Sequence, residues 1–579
     1  MLRGQYPGPE RLTVRAQQLL PLLPDLARAA AFRAAAPLRV WGRRNWFYRR
    51  LLAGPLADHI VFHPWDAQPR RLEDADSLLR GRFRFHGVTV DVPDGVSVFD
   101  LKPPSAAWHE ALHGFNWLPA LSTAGGDNAR RLATNLIGQW VKRHAKYSEP
   151  VWSPHVMARR MAHIFSHGRL VVLNSEMMWR SRLFVSLREQ SRMLERICGE
   201  APDGLPRLEA AAVLALSGIC LDDSPRRMEA GLKRLEAEIE RQVLADGGHV
   251  SRSPEALLSA YRHVIMVMES LSAIGEEPPH VLRNAHDRMA PMLRFFRHAD
   301  GGLACFNGGA ESDGRMIAGL LARDDIRGQP FQHARHSGYQ RLSAARTLLL
   351  MDCGGAPPGS FALEAHAGFC AFELSSGSDR MIVNCGAGGL THPSWNWALR
   401  ATAAHSTLTL ADTSSAAILP AGLPRDLLGP RLMGGPVAPA SRRLETAQGW
   451  SIEAMHDAYA AAFGLRHERQ ITLSPQGLMV TGRDRLAPVA GQPVTGLTFA
   501  VRFHVHPDVR VSRLEGGGIL LKLPSGEGWR FRAGGGHLEV EESVYLGGPV
   551  VRRAEQLVVS GTLTDAPAEI AWVFEQIGA

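Results

Sequence analysis

The hydrophobic period changes once along this chain, and that change limits the folds open to it. Between about residues 105 and 325, apolar side chains recur at helical spacing. After Ser224-Pro225, the residues Leu232, Leu235, Ile239 and Val243 form one apolar stripe, with Glu236, Glu238, Glu240 and Arg241 on the polar positions. The serine-proline pair reads as a capped helix start, and Gly247-Gly248 as a left-handed stop. Similar periods run through 129–144, 155–165, 180–197, 207–221, 255–273 and 280–297. Consecutive helices with short connections predict antiparallel pairs, and a curved array or closed toroid of pairs would bury every stripe. From about residue 335 the runs become short and β-like. Examples are Thr347–Met351, Phe369–Leu374, Met381–Asn384, Ser406–Leu410, Arg469–Leu473, Leu497–His506 and Leu538–Tyr545. Gly, Pro, Asn or Asp separates most of them, which predicts a large antiparallel sandwich. Helices first and strands second exclude an alternating α/β fold.

A chain of 579 residues is too long for one hydrophobic core. The expected organisation is α+β in two domains: helical over 105–330 and β-sandwich over 331–579, with a lead-in over 1–104 packed on the helical domain. The lead-in holds a basic, aromatic stretch, Trp41-Gly42-Arg43-Arg44-Asn45-Trp46, and a β-like run from Arg82 to Val90. It reads as an extended segment. The six cysteines form no C-x-x-C pair and sit in apolar contexts, so buried thiols are expected. The formal charge of +8 suits a polyanion. Zinc-finger spacing, stacking-aromatic RNA motifs and lysine-rich tails are lacking, so nucleic acid is not the expected polyanion. No apolar run reaches membrane-spanning length, and Pro21, Pro24 and Asp25 interrupt Leu19–Leu26 where a secretory core would lie. The chain as given reads as cytoplasmic.

Familiar catalytic motifs for nucleotide, metalloprotease or serine-hydrolase chemistry are missing. Three stretches carry polar residues in distinctive patterns. The first is Asp246-Gly247-Gly248-His249-Val250-Ser251-Arg252-Ser253-Pro254, past a helix end. The second is Trp395-Asn396-Trp397-Ala398-Leu399-Arg400-Ala401-Thr402-Ala403-Ala404-His405-Ser406-Thr407. The third is His456-Asp457-Ala458-Tyr459, followed by Arg466-His467-Glu468-Arg469. Together they resemble the heparinase II/III-like polysaccharide lyases, with Phe306-Asn307-Gly308-Gly309 and Ala365-His366-Ala367-Gly368 adding to the likeness over roughly residues 110–579.

The resemblance implies an incomplete α/α toroid joined to an antiparallel β-sandwich. It implies β-elimination on a uronate-containing polysaccharide or oligosaccharide, with no cofactor and no catalytic metal. In that reaction the C5 proton leaves beside a carboxylate, whose developing charge needs cations or hydrogen-bond donors. A Tyr or His acts as base, and a Tyr protonates the leaving oxygen. Carried over by motif, His405 is the catalytic histidine, and Tyr459, His249 and Tyr261 are further catalytic candidates. Arg252, Arg400, Arg207, Trp395, Trp397 and His456 are candidates for binding the sugar. Many relatives work in the periplasm or cell envelope, which is the alternative location. Two departures bear on activity. Ala256 stands where many members have a tyrosine, and the stretch Gly204–Ala210, where many have an asparagine, has none. The alternative function is therefore binding of an acidic glycan without cleavage. A hydrolase would instead need paired carboxyls, for which Glu255 and Asp246 are candidates.

Overall fold

The computed structural model describes residues 19–67, 72–173, 175–221, 224–323, 329–387, 395–437, 439–489, 495–564 and 567–578. Helices fill the chain from Ala106 to Leu321, and strands dominate from His333 onward. The helical half is an α/α toroid. Its central helix, Leu205–Leu221, has 13 buried residues out of 17, so neighbours surround it. It packs closely on Pro225–Gln242 because glycines lie at the contacts. A Cβ on Gly231 would collide with the Ala215 backbone, and one on Gly218 would come within 2.5 Å of Met228 N. Leu235 and Ile239 of the predicted stripe are fully buried there.

The β half is an antiparallel sandwich. One sheet runs in space from Ala440–Thr446 through Gly449–His456, Leu465–Leu473, Met479–Pro488, Ala568–Ile577, Gly528–Gly534 and Ile519–Lys522 to Arg510–Arg513. The other runs from His537–Tyr545 through Arg552–Thr562, Thr498–Val505, Asp379–Val383, Phe372–Ser376, Thr347–Asp352 and Tyr339–Ala344 to His333–Ala334. Phe372, Phe503, Phe531, Trp572 and Phe574 interlock between the sheets.

Two copies of one hairpin join the halves. Helix Pro225–Gln242 ends in Leu244-Ala245-Asp246-Gly247-Gly248-His249, and helix His280–Phe296 ends in His298-Ala299-Asp300-Gly301-Gly302-Leu303. Each closes with one antiparallel bridge, Val243 to His249 and Arg297 to Leu303. The first glycine of each turn is left-handed, at φ +87° for Gly247 and +93° for Gly301. The aspartate caps the second glycine, with Gly248 N to Asp246 Oδ1 at 3.1 Å and Gly302 N to Asp300 Oδ1 at 2.8 Å. The same aspartates reach the sandwich. Asp246 accepts from the backbone N–H groups of His336 and Ser337 at 2.8 and 2.7 Å, and Asp300 accepts from Arg380 Nε at 2.7 Å. The second glycines allow this approach, since a Cβ on Gly248 would overlap Ser337 Oγ.

Several local expectations need correction. Gly247 does not stop a helix, which ends at Gln242; its left-handed backbone turns the hairpin instead. Ser224 occupies the N-cap position but its side chain makes no capping bond. The lead-in is not extended. It forms the helices Leu23–Ala34, Ala36–Arg44 and Trp46–Leu51, and the single β-like run expected from Arg82 to Val90 folds as a hairpin of Arg82–Phe85 and Val88–Asp91. It also touches both halves, because Leu22 packs on Leu419 and Leu428 of the β half while Leu52 and Ile60 join the toroid core. Strand geometry begins at Leu408, so His405 lies just before the strand, after the turn Thr402–Ala404.

Beyond the first hairpin, Arg252 takes φ +60° and extends into the sandwich. Its Nε donates to Ser337 O at 2.8 Å, its Nη1 donates to Gly355 O, and its Nη2 pairs with Asp352. The pair is buried from solvent. Removing one partner leaves a buried charge uncompensated, which costs roughly 3–5 kcal/mol. Arg252→Ala is expected to lower stability by about that amount in urea unfolding, and Arg252→Lys by a substantial part of it, because the planar fork is lost.

Candidate functional site

His405 lies in the β half among loops and strands of one sheet, beside His366, Gly368 and Asn384. A glycine makes room for its ring, since a Cβ on Gly368 would sit 2.9 Å from His405 Cγ. Asn384 orients it. The Asn384 Oδ1 accepts from Ser406 N at 3.1 Å, and its Nδ2 donates to Glu373 Oε1 at 3.2 Å, so the amide oxygen faces the ring. His405 Nδ1, 3.3 Å from that oxygen, is therefore the protonated nitrogen, and Nε2 carries the lone pair. Nε2 is buried and makes no hydrogen bond of good geometry among the described residues. Burial pushes the ring's pKa down to about 4, with the Glu373 carboxyl and the Leu399 carbonyl pulling weakly the other way.

Behind His405 runs a continuous polar chain. The His366 ring centre lies 5.2 Å from that of His405. The His366 backbone N–H donates to Asn307 Oδ1 at 3.1 Å, and Asn307 Nδ2 donates to the Tyr339 hydroxyl at 2.9 Å. Tyr339 donates in turn to the Arg252 carbonyl at 2.6 Å. Glu373, fully buried, collects His298 Nε2 at 3.1 Å and Cys305 N at 3.0 Å beside Asn384. On the other side, Arg469 Nη1 donates to the Ser406 and Cys370 carbonyls, each at 2.8 Å, and its Nε donates to Asp484 at 2.7 Å. Arg469 and His467 hold the Asp484 carboxyl well below the usual carboxylate range.

The other sequence candidates are committed elsewhere. His249 Nδ1 lies 2.7 Å from Ser251 Oγ and its Nε2 lies 3.0 Å from Gln242 Oε1, inside the hairpin. Arg252 serves the interdomain contact. The Tyr261 hydroxyl meets His286 Nδ1 at 3.1 Å within the toroid core. Tyr459 sits in the sandwich core and donates to the Leu408 carbonyl at 3.0 Å. Arg400 spends all three donor groups on backbone, on Ala365 O at 2.8 Å, Pro430 O at 2.6 Å and Ala362 O at 3.2 Å, and burial lowers its pKa to about 10. It thereby holds the turn that carries His366. Arg207 donates to Ala201 O at 3.2 and 3.0 Å. Trp395 packs against Cys385, Leu399, Ala404 and Leu546, while Trp397 is partly exposed under the Arg425 guanidinium, 3.7 Å from its ring centre. Asp246 is held by the hairpin and Glu255 by Ser312, so the two carboxyls form no pair.

His456, His467 and Cys370 bring ligand atoms within 4.8 Å of one another, all buried. Two imidazoles and a thiol are a donor set of zinc type. The trio is also satisfied without an ion, since His456 Nε2 and His467 Nδ1 lie 3.2 Å apart and His467 Nε2 bonds Asp484 at 2.6 Å.

A second polar group lines the toroid, and sequence reasoning missed it. His155 lies 3.4 Å from Glu110, Arg159 3.2 Å from Glu209, and His263 4.0 Å from Glu209. Glu209 stands in the stretch where the resemblance leads one to look for an asparagine. A lone acid within the apolar run of Leu208 to Leu216 was the available signal. Glu373 offers the same signal between Phe372 and Leu374, where strand alternation turns it away from the sandwich core.

Comparison with known proteins follows this geometry. Residues 326–573 match the family model described as heparinase II/III-like, C-terminal. Over 564 residues the chain is 31% identical to the FtsZ-localized protein C of Caulobacter vibrioides (strain NA1000 / CB15N), covering 94% of this chain and 95% of the relative. The chain belongs to the heparinase II/III-like family. Solved structures align over most of the chain. Heparinase III superposes with a TM-score of 0.69 at 14% identity, covering 96% of this chain and 92% of that one. The heparan sulfate lyase HepC from Pedobacter heparinus gives 0.56 at 18% identity, covering 95% and 88%. These similarities show a shared toroid-plus-sandwich fold.

The depressed pKa of His405 has a measurable consequence. A histidine held neutral in the folded state stabilises the protein fully above its ordinary pKa near 6.5, and that contribution is lost as pH falls toward 4. His405→Gln is expected to reduce the slope of unfolding free energy against pH by about 1.4 kcal/mol per unit in that window. Urea unfolding of both proteins at several pH values measures the difference, and equal slopes would contradict a buried neutral ring.

Proposed function

We propose that this member of the heparinase II/III-like family binds an acidic glycan without cleaving it, and that it works alongside FtsZ. The observation carrying this reading is the state of the elimination machinery. His405 Nε2 has the free lone pair a base requires, yet it is sealed from solvent, and no described tyrosine hydroxyl bonds to it. Tyr147, Tyr261, Tyr339, Tyr459 and Tyr545 direct their hydroxyls to other partners. A proton donor must come within hydrogen-bond reach of the leaving oxygen. The expected neutralising cations are engaged too, as Arg252 and Arg400 serve backbone carbonyls.

Glycan binding is supported by the family's fold and by Arg159, Arg262, His155 and His263, which line the toroid and remain partly accessible. Work beside FtsZ is supported by the near full-length relationship to a protein named for its localisation with FtsZ.

Two assays test the proposal. Incubation with heparin, heparan sulfate, hyaluronan, alginate or bacterial exopolysaccharide is expected to give no ultraviolet absorbance from unsaturated uronate. Affinity electrophoresis in the same glycans is expected to show retardation that weakens about tenfold or more in Arg159→Ala. An ultraviolet signal abolished by His405→Ala would establish a lyase instead. For the second half of the proposal, the chain is expected to pellet with FtsZ polymers and to stay in solution without them.

A further inference from the structure

The buried arginines Arg252, Arg400 and Arg469 spend their donors on carbonyls or carboxylates of the protein. Arg502, half-buried, does not. It lies on the strand Thr498–Val505, between Arg552–Thr562 on one side and Leu408–Leu410 on the other. Alternation turns Phe499, Val501 and Phe503 into the sandwich core, and Thr498, Ala500 and Arg502 to the opposite face. On that face Ala500 pairs with Thr409 of one neighbour and Ser560 of the other, so three small side chains make a low floor. Above it is a cavity of about 360 Å³, lined by Thr409, Thr498 and Ser560 together with Arg502, Asp412 and Glu541.

Arg502 Nη1 donates to Thr409 Oγ1 at 2.5 Å. Its Nε–Nη2 edge makes no bond among the described residues, and neither atom is sealed from solvent. Burial lowers the Arg502 pKa, and Glu541 and Asp412 act on it only through space. Asp412 is exposed at the tip of a tight reversal, which Thr413 N closes on Leu410 O at 2.9 Å and Ala411 N ties to Thr498 O at 2.7 Å. Ala411 and Asp412 are both left-handed, at φ +50° and +49°, in a turn that favours asparagine and glycine. Those two anchors hold the reversal against that preference and set Asp412 at the rim. Glu541 is exposed on the strand His537–Tyr545, where it accepts from Gln556 Nε2 at 3.2 Å.

The cavity therefore offers one guanidinium and two carboxylates. A uronate would bring a carboxylate for Arg502 but meet an excess of negative charge, and a phosphate would meet it more strongly. A divalent metal would find a guanidinium beside its carboxylates. A zwitterion satisfies both signs: its carboxylate takes the free guanidinium edge as a fork, and its ammonium group lies toward Asp412 and Glu541. The volume suits one small molecule. We propose that this cavity in the sandwich is a binding site for a free amino acid, recognised by its adjoining carboxylate and ammonium groups. The lining belongs to the β half, so this inference is independent of what the toroid binds.

Isothermal titration calorimetry of the full chain against a panel of L- and D-amino acids tests it, with acetate, methylamine, galacturonate, inorganic phosphate and calcium as comparison probes. At least one amino acid is expected to bind at a single site, about tenfold more tightly than acetate or methylamine. Arg502→Gln is expected to weaken that binding by about tenfold. Asp412→Asn and Glu541→Gln are each expected to weaken it by about threefold while strengthening acetate binding, because a repelling carboxylate is gone. A merely structural role would not move the two probes in opposite directions. Asparagine accepts the left-handed backbone, so Asp412→Asn decides the matter should Arg502→Gln unfold. Absence of amino-acid binding, or amino-acid binding unchanged in Asp412→Asn and Arg502→Gln, would overturn the proposal. So would galacturonate or phosphate binding more tightly than every amino acid, or calcium alone binding and being lost in Asp412→Asn.

Discussion

The buried Arg252–Asp352 pair sits at the centre of the joint between helices and strands. An unpaired guanidinium in that position would be strongly destabilising, so the left-handed backbone at Arg252, the Tyr339 hydroxyl and the carbonyls of Ser337 and Gly355 are all arranged around it. The two Asp-Gly-Gly hairpins bring the toroid to the same sheet. Each uses one aspartate twice, once to cap its own turn and once to reach across. Helix ends that would otherwise expose carbonyl groups become the attachment points of the second domain.

This arrangement has drawn in several of the residues that the sequence motifs single out. Family resemblance directs attention to His249, Arg252, Arg400 and Tyr459, and each is engaged with neighbouring protein groups. His405 keeps its lone pair, oriented by Asn384, with Glu373 behind it. The result is a buried imidazole held by Asn384, with no tyrosine hydroxyl bonded to it among the described residues.

Much of the architecture was legible because periodicity records burial directly. Leu235 and Ile239 repeat at helical spacing since one side of their helix faces the core, and Phe372 and Leu374 alternate since one face of their strand does. The position of His405 was legible through its motif. The fate of Arg252 and Arg400 was not, because their partners are backbone carbonyls brought near by tertiary folding, and a carbonyl leaves no mark in the residue pattern. The hairpin role of Gly247 was hidden for a related reason: a left-handed glycine after a helix looks alike whether the chain stops or turns back. Glu209 and Glu373 were visible as isolated acids in apolar runs. Their meaning came only with Arg159 and His298 across the fold.

The doubled hairpin carries a mechanical consequence. One tether between two bodies leaves them free to swivel in every direction, whereas two tethers from successive helix ends leave rotation only about the line that joins them. The same two aspartates that close the turns therefore also set how toroid and sandwich are oriented, so a change to either turn is felt in both domains.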